Sequence, residues 1–215
     1  MVCITYAVGS GLGRVTAAGP SGGECQLQGQ ANISPGLNSS SQAFSYNFAG
    51  NLTSCQSNVA GAPTAGTVGA GNVVAENVTV TTSGGPVAAT FNYQQPTATG
   101  TGSCANSTTA GEAFVVWGDN TQTAINYTTT GAAAAVTLQG TADASFVLHP
   151  VPGQSITVGG VVYPAPDYTF TTTRFAGQSS LAALAFQPPD PTACNTPAGV
   201  TKAGISGVVG IGSPQ

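Results

Sequence analysis

The sequence predicts an all-β protein: a single antiparallel β-sandwich or barrel of about ten short strands, with at most one short helix. Three observations predict it. Only 5% of the 215 residues are charged, against roughly 25% in ordinary soluble domains. Threonine, serine, asparagine, glutamine and glycine must therefore cover the surface; these are weak helix formers, and threonine suits strands. Apolar and polar residues alternate at a period of two, and turn signals recur at the spacing of a sandwich or barrel. The hydrophobic share of 41% and net charge of −4 are unlike a disordered chain, which is usually poor in apolar residues and rich in net charge.

The elements follow in order. Residues 1–23 read as a flexible Gly/Ala/Ser lead-in ending in the breaker Pro20-Ser21-Gly22-Gly23, and residues 24–215 as one β domain. CQLQGQANIS places Cys25, Leu27, Ala31 and Ile33 on one face of a strand, with Gln26, Gln28, Gln30 and Asn32 on the other. After a turn at 34–38, AFSYNFAGNLTS repeats the pattern with Phe44, Tyr46, Phe48 and Leu52. A loop is expected at 56–72, then strands at 73–82 and 87–94, then a second loop at 95–111. Strands at 112–117 and 122–129 reverse at Gly118-Asp119-Asn120, and two more follow at 132–140 and 144–149. SITVGGVVYPA is a hairpin, because Gly159-Gly160 tolerates the positive φ of a two-residue turn. YTFTTTRF alternates, and SLAALAFQ is the one segment with possible helical character. KAGISGVVGIG makes the last strand, with Ala203, Ile205, Val209 and Ile211 on one face.

Composition excludes several function classes. Arg14, Arg174 and Lys202 are too few and too scattered to neutralise phosphates, so neither nucleic acid nor an anionic membrane is an expected partner. No apolar run reaches the roughly 20 residues of a spanning helix. His149, the only histidine, follows a strand in FVLHPVP with no nucleophile elbow, and reads as a strand-end residue. Glu24, Glu76 and Glu112 have no spacing that pairs two carboxylates, and Gly118-Asp119-Asn120-Thr121 offers too few oxygens for calcium. No catalytic residue, metal ligand or cofactor is expected, and the protein is read as not an enzyme.

The five cysteines are Cys3, Cys25, Cys55, Cys104 and Cys194. With no C-x-x-C and one histidine, disulfides are a better reading than zinc. Four cysteines allow three connectivities, among which sequence does not choose. The expectation is Cys25–Cys55, which the first hairpin would bring together, and Cys104–Cys194, leaving Cys3 in the lead-in. N-x-S/T sequons at Asn38, Asn51, Asn77, Asn106 and Asn126 matter only in a glycosylating host. The start, MVCITYAVGSGLGRV, lacks the basic and long apolar regions of a signal peptide. The case for export rests on scarce lysine, the sequons and the cysteines.

CQLQGQANISP, YNFAGNLTSCQS, VVWGDNTQTAINYTT and AVTLQGTADASF are similar to segments of small secreted proteins of high-GC Gram-positive bacteria. That resemblance implies a disulfide-bonded β-sandwich or barrel outside the cell and carries over no catalytic residue. The expected function is a non-enzymatic, secreted or surface-exposed protein with a structural or assembly role, as a fibre or layer subunit. Without edge lysines, self-association through edge strands is expected, with the lead-in or residues 202–212 docking on a neighbour. The alternative is a monomeric extracellular module for a glycan or protein ligand, with Trp117 as the stacking residue. The run Ala113-Phe114-Val115-Val116 before Trp117 also suits core packing.

Overall fold

The computed structural model describes residues 22–212. Its strands are β1 (Gly23–Leu37), β2 (Gln42–Ser57), β3 (Gly66–Ala70), β4 (Val73–Thr82), β5 (Gly85–Gln94), β6 (Ala98–Gly102), β7 (Asn106–Trp117) and β8 (Gln122–Ala132). They continue with β9 (Ala135–Asp143), β10 (Ser145–Pro150), β11 (Ser155–Val158), β12 (Val161–Pro164), β13 (Tyr168–Thr171), β14 (Ser179–Gln187) and β15 (Val200–Ile211). The only helical element among the described residues is a 3-10 turn at Pro191–Asn195. The expected lead-in, with Cys3 and Arg14, lies outside the described residues except for Gly22 and Gly23, and Gly23 already belongs to β1.

The period-two alternation of β1 and β2 builds the first hairpin, with Leu27 opposite Leu52, Ala31 opposite Phe48 and Ile33 opposite Tyr46. Each stave then pairs antiparallel with the next, and β15 returns to β1 from Gly23↔Ile211 to Asn32↔Lys202. β3 and β6 are two pieces of one stave. β3 runs along Leu52 to Phe48 of β2, and β6 resumes at Tyr46 and continues to Gln42. Both also pair with β7. Nine strands thus fill eight positions of a closed up-and-down barrel.

Two insertions leave this ring. Residues 71–97 depart between β3 and β6, and residues 144–178 between β9 and β14. They meet where β10 pairs β5 at His149↔Gln94 and Pro150↔Tyr93, giving a second sheet in the order β13-β10-β5-β4. This sheet covers the apolar patch that the odd–even alternation leaves on the outside of β7 and β8. Phe91, Tyr93, Leu148 and Phe170 bury there with Phe114 and Ala124. Phe114 meets Phe146 and Phe170 edge to face at 5.4 and 5.1 Å, the preferred aromatic geometry.

The all-β class and the barrel follow the expectation, but the chain makes fifteen strands rather than about ten. The loops expected at 56–72 and 95–111 contain β3, β6 and the start of β7. GTVGA and ATGTG are too short and too glycine-rich to show a period, and become strands because β2 and β7 offer pairing partners on both sides. SLAALAFQ is β14, not a helix: its alanines and leucines favour helix locally, yet β9 and β15 bind both of its edges. The expected docking tail, residues 202–212, is corrected too. Residues 204–211 lie in β15 and are paired on both sides within their own barrel, which leaves them no free edge to give a neighbour.

Cys25–Cys55 links β1 to β2, and Cys104–Cys194 links the β6–β7 loop to the 3-10 turn at the opposite end of the barrel. The closed loops span 30 and 90 residues, for which chain entropy gives about 3.5 and about 4.5 kcal/mol as upper estimates. Replacing Cys104 and Cys194 by alanine is therefore expected to lower the urea midpoint more than replacing Cys25 and Cys55, as equilibrium unfolding would measure.

Candidate functional site

The barrel points its apolar face inward. Cys25, Leu27, Ala31 and Ile33 of β1 are buried, whereas Gln26, Gln28, Gln30 and Asn32 face solvent. A lipid-spanning barrel has the reverse arrangement. No helix among the described residues is long and apolar enough to cross a membrane.

The interior is not filled. A cavity of about 190 Å³ runs through it, walled mainly by apolar side chains and by no carboxylate, lysine, arginine or histidine. Inward residues such as Phe48, Ile125, Leu138, Leu184 and Ile205 keep part of their surface accessible because it borders this lumen. Small residues explain the space. At Gly29 a methyl group would meet the Phe48 ring at 2.5 Å, and at Gly50 the same ring at 2.7 Å, so this ring lies flat on the wall. Ala70 and Ala113 also face the lumen without reaching across it.

One wall carries a chain of four hydroxyls. Tyr127 and Tyr46 are bonded at 2.6 Å, Tyr46 and Thr109 at 3.1 Å, and Thr109 and Thr129 at 2.7 Å. Each hydroxyl brings one proton, so three bonds use three of the four and one donor is left over within the chain. Burial pushes the Tyr127 and Tyr46 pKa values up, holding both as neutral phenols. The lumen thus combines an apolar wall with one cluster of neutral donors and acceptors, the pattern of a small-molecule pocket.

Trp117 closes one end. Its ring is 6% exposed and lines the lumen, so it offers no open surface platform for stacking a sugar; the expected role is corrected to this extent. Its indole N–H donates to Thr123 Oγ1 at 2.9 Å, and Thr123 donates to the Arg174 carbonyl at 2.9 Å. Phe175 lies edge-on to Trp117 at 5.8 Å. Its φ of 64° is in the left-handed region, which costs a non-glycine residue about 1–2 kcal/mol. A clasp holds it there: Arg174 Nη2 meets Asp119 Oδ2 at 2.7 Å and Nε donates to Thr121 Oγ1 at 3.0 Å. Hydrogen bonds from Thr121, then from Arg174, hold the Asp119 carboxyl below its usual range. The turn that sequence weighed as a weak calcium site is occupied with this clasp.

Other singled-out residues stay apart from the lumen. His149, exposed at the end of β10, meets Asp167 at 2.9 Å. Glu112 faces outward on β7, where Oε1 accepts from Asn126 Nδ2 at 2.8 Å and the buried Oε2 has no partner. Desolvation, then the Asp143 charge, pushes its pKa from 4.5 up to about 7. Sequence reading missed the hydroxyl chain, because Tyr46, Thr109, Tyr127 and Thr129 come from three strands. The signal present was their shared inward parity. The chain matches no protein-family model, no curated protein and no solved structure.

Tyr46→Phe leaves the buried Tyr127 hydroxyl without its partner and is expected to cost about 1–3 kcal/mol in urea unfolding. For Glu112 the folded state favours the neutral acid. Its contribution is present below pH 4.5 and lost as the pH rises through about 7. Thermal unfolding at about pH 5 and about pH 8 is expected to show a smaller alkaline loss of Tm in Glu112→Gln than in the native protein.

Proposed function

We propose that the protein is an extracellular binding protein whose barrel holds one small, neutral, largely apolar molecule with a single hydrogen-bond acceptor. The observation that carries this reading is the unfilled lumen of about 190 Å³; an apolar void of about 150 Å³ is enough to hold benzene. Eight-stranded barrels are either filled by their own side chains or hold one small ligand, and this one is not filled. The absence of charge in the lining disfavours an ionised ligand, because a buried unpaired charge is costly. The spare hydroxyl proton of the Tyr127–Tyr46–Thr109–Thr129 chain has a natural partner in a ligand oxygen. Two disulfides support a location outside the reducing cytosol. A fibre or layer role would have to use the inserted segments, whose two sheets, β13-β10-β5-β4 and β11-β12, carry open edges, whereas every stave of the barrel is paired on both sides.

Titration with 1-naphthol, followed by energy transfer from Trp117, tests the reading. Saturable one-to-one binding is expected, weakened at least tenfold in Ala113→Phe, which fills the lumen, with an unchanged far-ultraviolet dichroism spectrum. A signal that does not saturate, or equal binding by the filled variant, would rule the lumen out.

A further inference from the structure

Outside the barrel, β4 ends the inserted sheet, with β5 as its one strand partner. Gln95 N–H donates to the Asn72 carbonyl at 2.9 Å, immediately before β4. The even-numbered residues of the strand therefore bond to β5, since hydrogen-bonded and non-hydrogen-bonded pairs alternate in an antiparallel ladder. The N–H and C=O groups of Val73, Ala75, Asn77, Thr79 and Thr81 point the other way, and none is bonded to another described residue. This is a ten-residue edge without lysine, proline or bulge, three of the devices that ordinarily block strand addition; its one charge is Glu76, on the groove side.

The space beyond part of this edge is a groove of about 720 Å³, separate from the lumen. Val74 and Glu76 line it from β4, and Val116 lies in its floor. The opposite wall is the outside of the barrel, where Gln28, Asn51 and Thr67 stand in one row across β1, β2 and β3. Their side chains are exposed and make no hydrogen bond to another described residue. An open backbone edge on one side and a row of free amides and a hydroxyl on the other complement one kind of chain: a backbone with donors and acceptors on both of its edges.

We propose that the β4 edge and this groove form a docking site for an extended polypeptide segment of a partner protein, which joins the inserted sheet as a fifth strand. Main-chain bonds to β4 supply the pairing, as in other strand additions. The wall selects alternating side chains: apolar ones toward Val74 and Val116, and a basic one beside the carboxylate of Glu76. A glycan is a poorer match, because it lacks the regular backbone repeat and the groove exposes no aromatic platform, Phe114 and Phe170 being buried. The proposal is independent of the lumen.

The test uses the whole chain and a capped heptapeptide, Thr-Val-Thr-Lys-Thr-Val-Thr, with amide exchange and nitrogen–proton spectra as readouts. Exchange at Ala75, Asn77 and Thr79 is expected to slow at least tenfold with peptide, while the Trp117 indole signal stays in place. Ala75→Pro removes one outward N–H without breaking the ladder to β5. It is expected to weaken peptide binding at least tenfold and leave 1-naphthol binding unchanged. No protection at millimolar peptide, or equal binding by Ala75→Pro, would overturn the proposal. So would slow exchange along β4 in the peptide-free protein together with a dimer mass by light scattering, since the edge would then belong to a second copy of this chain.

Discussion

The pairing of β1 with β15 closes the ring, and the remaining structure depends on it. An open sheet of staves this long would expose two edges and leave its apolar face without a second layer. Closure removes both edges and turns that face into an interior. It also joins the two ends of the described chain, so the barrel is completed only by contacts of the longest sequence separation. The disulfides brace this arrangement at opposite ends: Cys25–Cys55 where β1 begins and β2 ends, and Cys104–Cys194 just ahead of β15. Closure of non-local strand pairs is slow and entropically costly, and cross-links that shrink the unfolded ensemble offset part of that cost.

Closure creates two demands that the insertions and the small residues meet. The outside of β7 and β8 carries Phe114 and Ala124, which water would otherwise reach; the second sheet buries them. The inside must accommodate eight converging rows of side chains. Glycine and alanine at inward positions such as Gly29, Gly50, Ala70 and Ala113 leave a lumen in place of a filled core. The clasp of Asp119, Arg174 and Thr121 holds Phe175 against Trp117 at one mouth. It joins a barrel turn to a loop of the second insertion, so covering the patch and closing the mouth are linked. The charge-poor surface fits this design: hydration comes from outward amides and hydroxyls, which leave the few ionic groups for particular contacts such as this one.

Much of the wall was legible in the sequence, because alternation reports which side of a strand is buried. Leu27 with Ile33, Phe44 with Phe48, and Ile205 with Val209 all face inward as their parity requires. The interrupted stave was not legible. GTVGA and ATGTG carry no period of their own and become one stave only because β2 and β7 hold them in line. Nor was the helical character of SLAALAFQ decisive, since pairing on both edges outweighs local propensity. Of the candidate site, Trp117 was visible as a singular residue, but its partner Thr123 and its neighbour Phe175 were not recognisable as a group.

The sequence by itself determined the class of structure. Scarce charge, threonine-rich strands and period-two alternation leave no other way to bury the apolar residues while hydrating the rest. Only the tertiary structure decided that the sheet closes, that the interior stays open, and that one ten-residue edge remains unpaired. Those outcomes depend on which strands meet across long stretches of chain and on the volumes that eight rows of side chains bring to one axis. Local patterns carry neither quantity, because each is a property of residues brought together by folding.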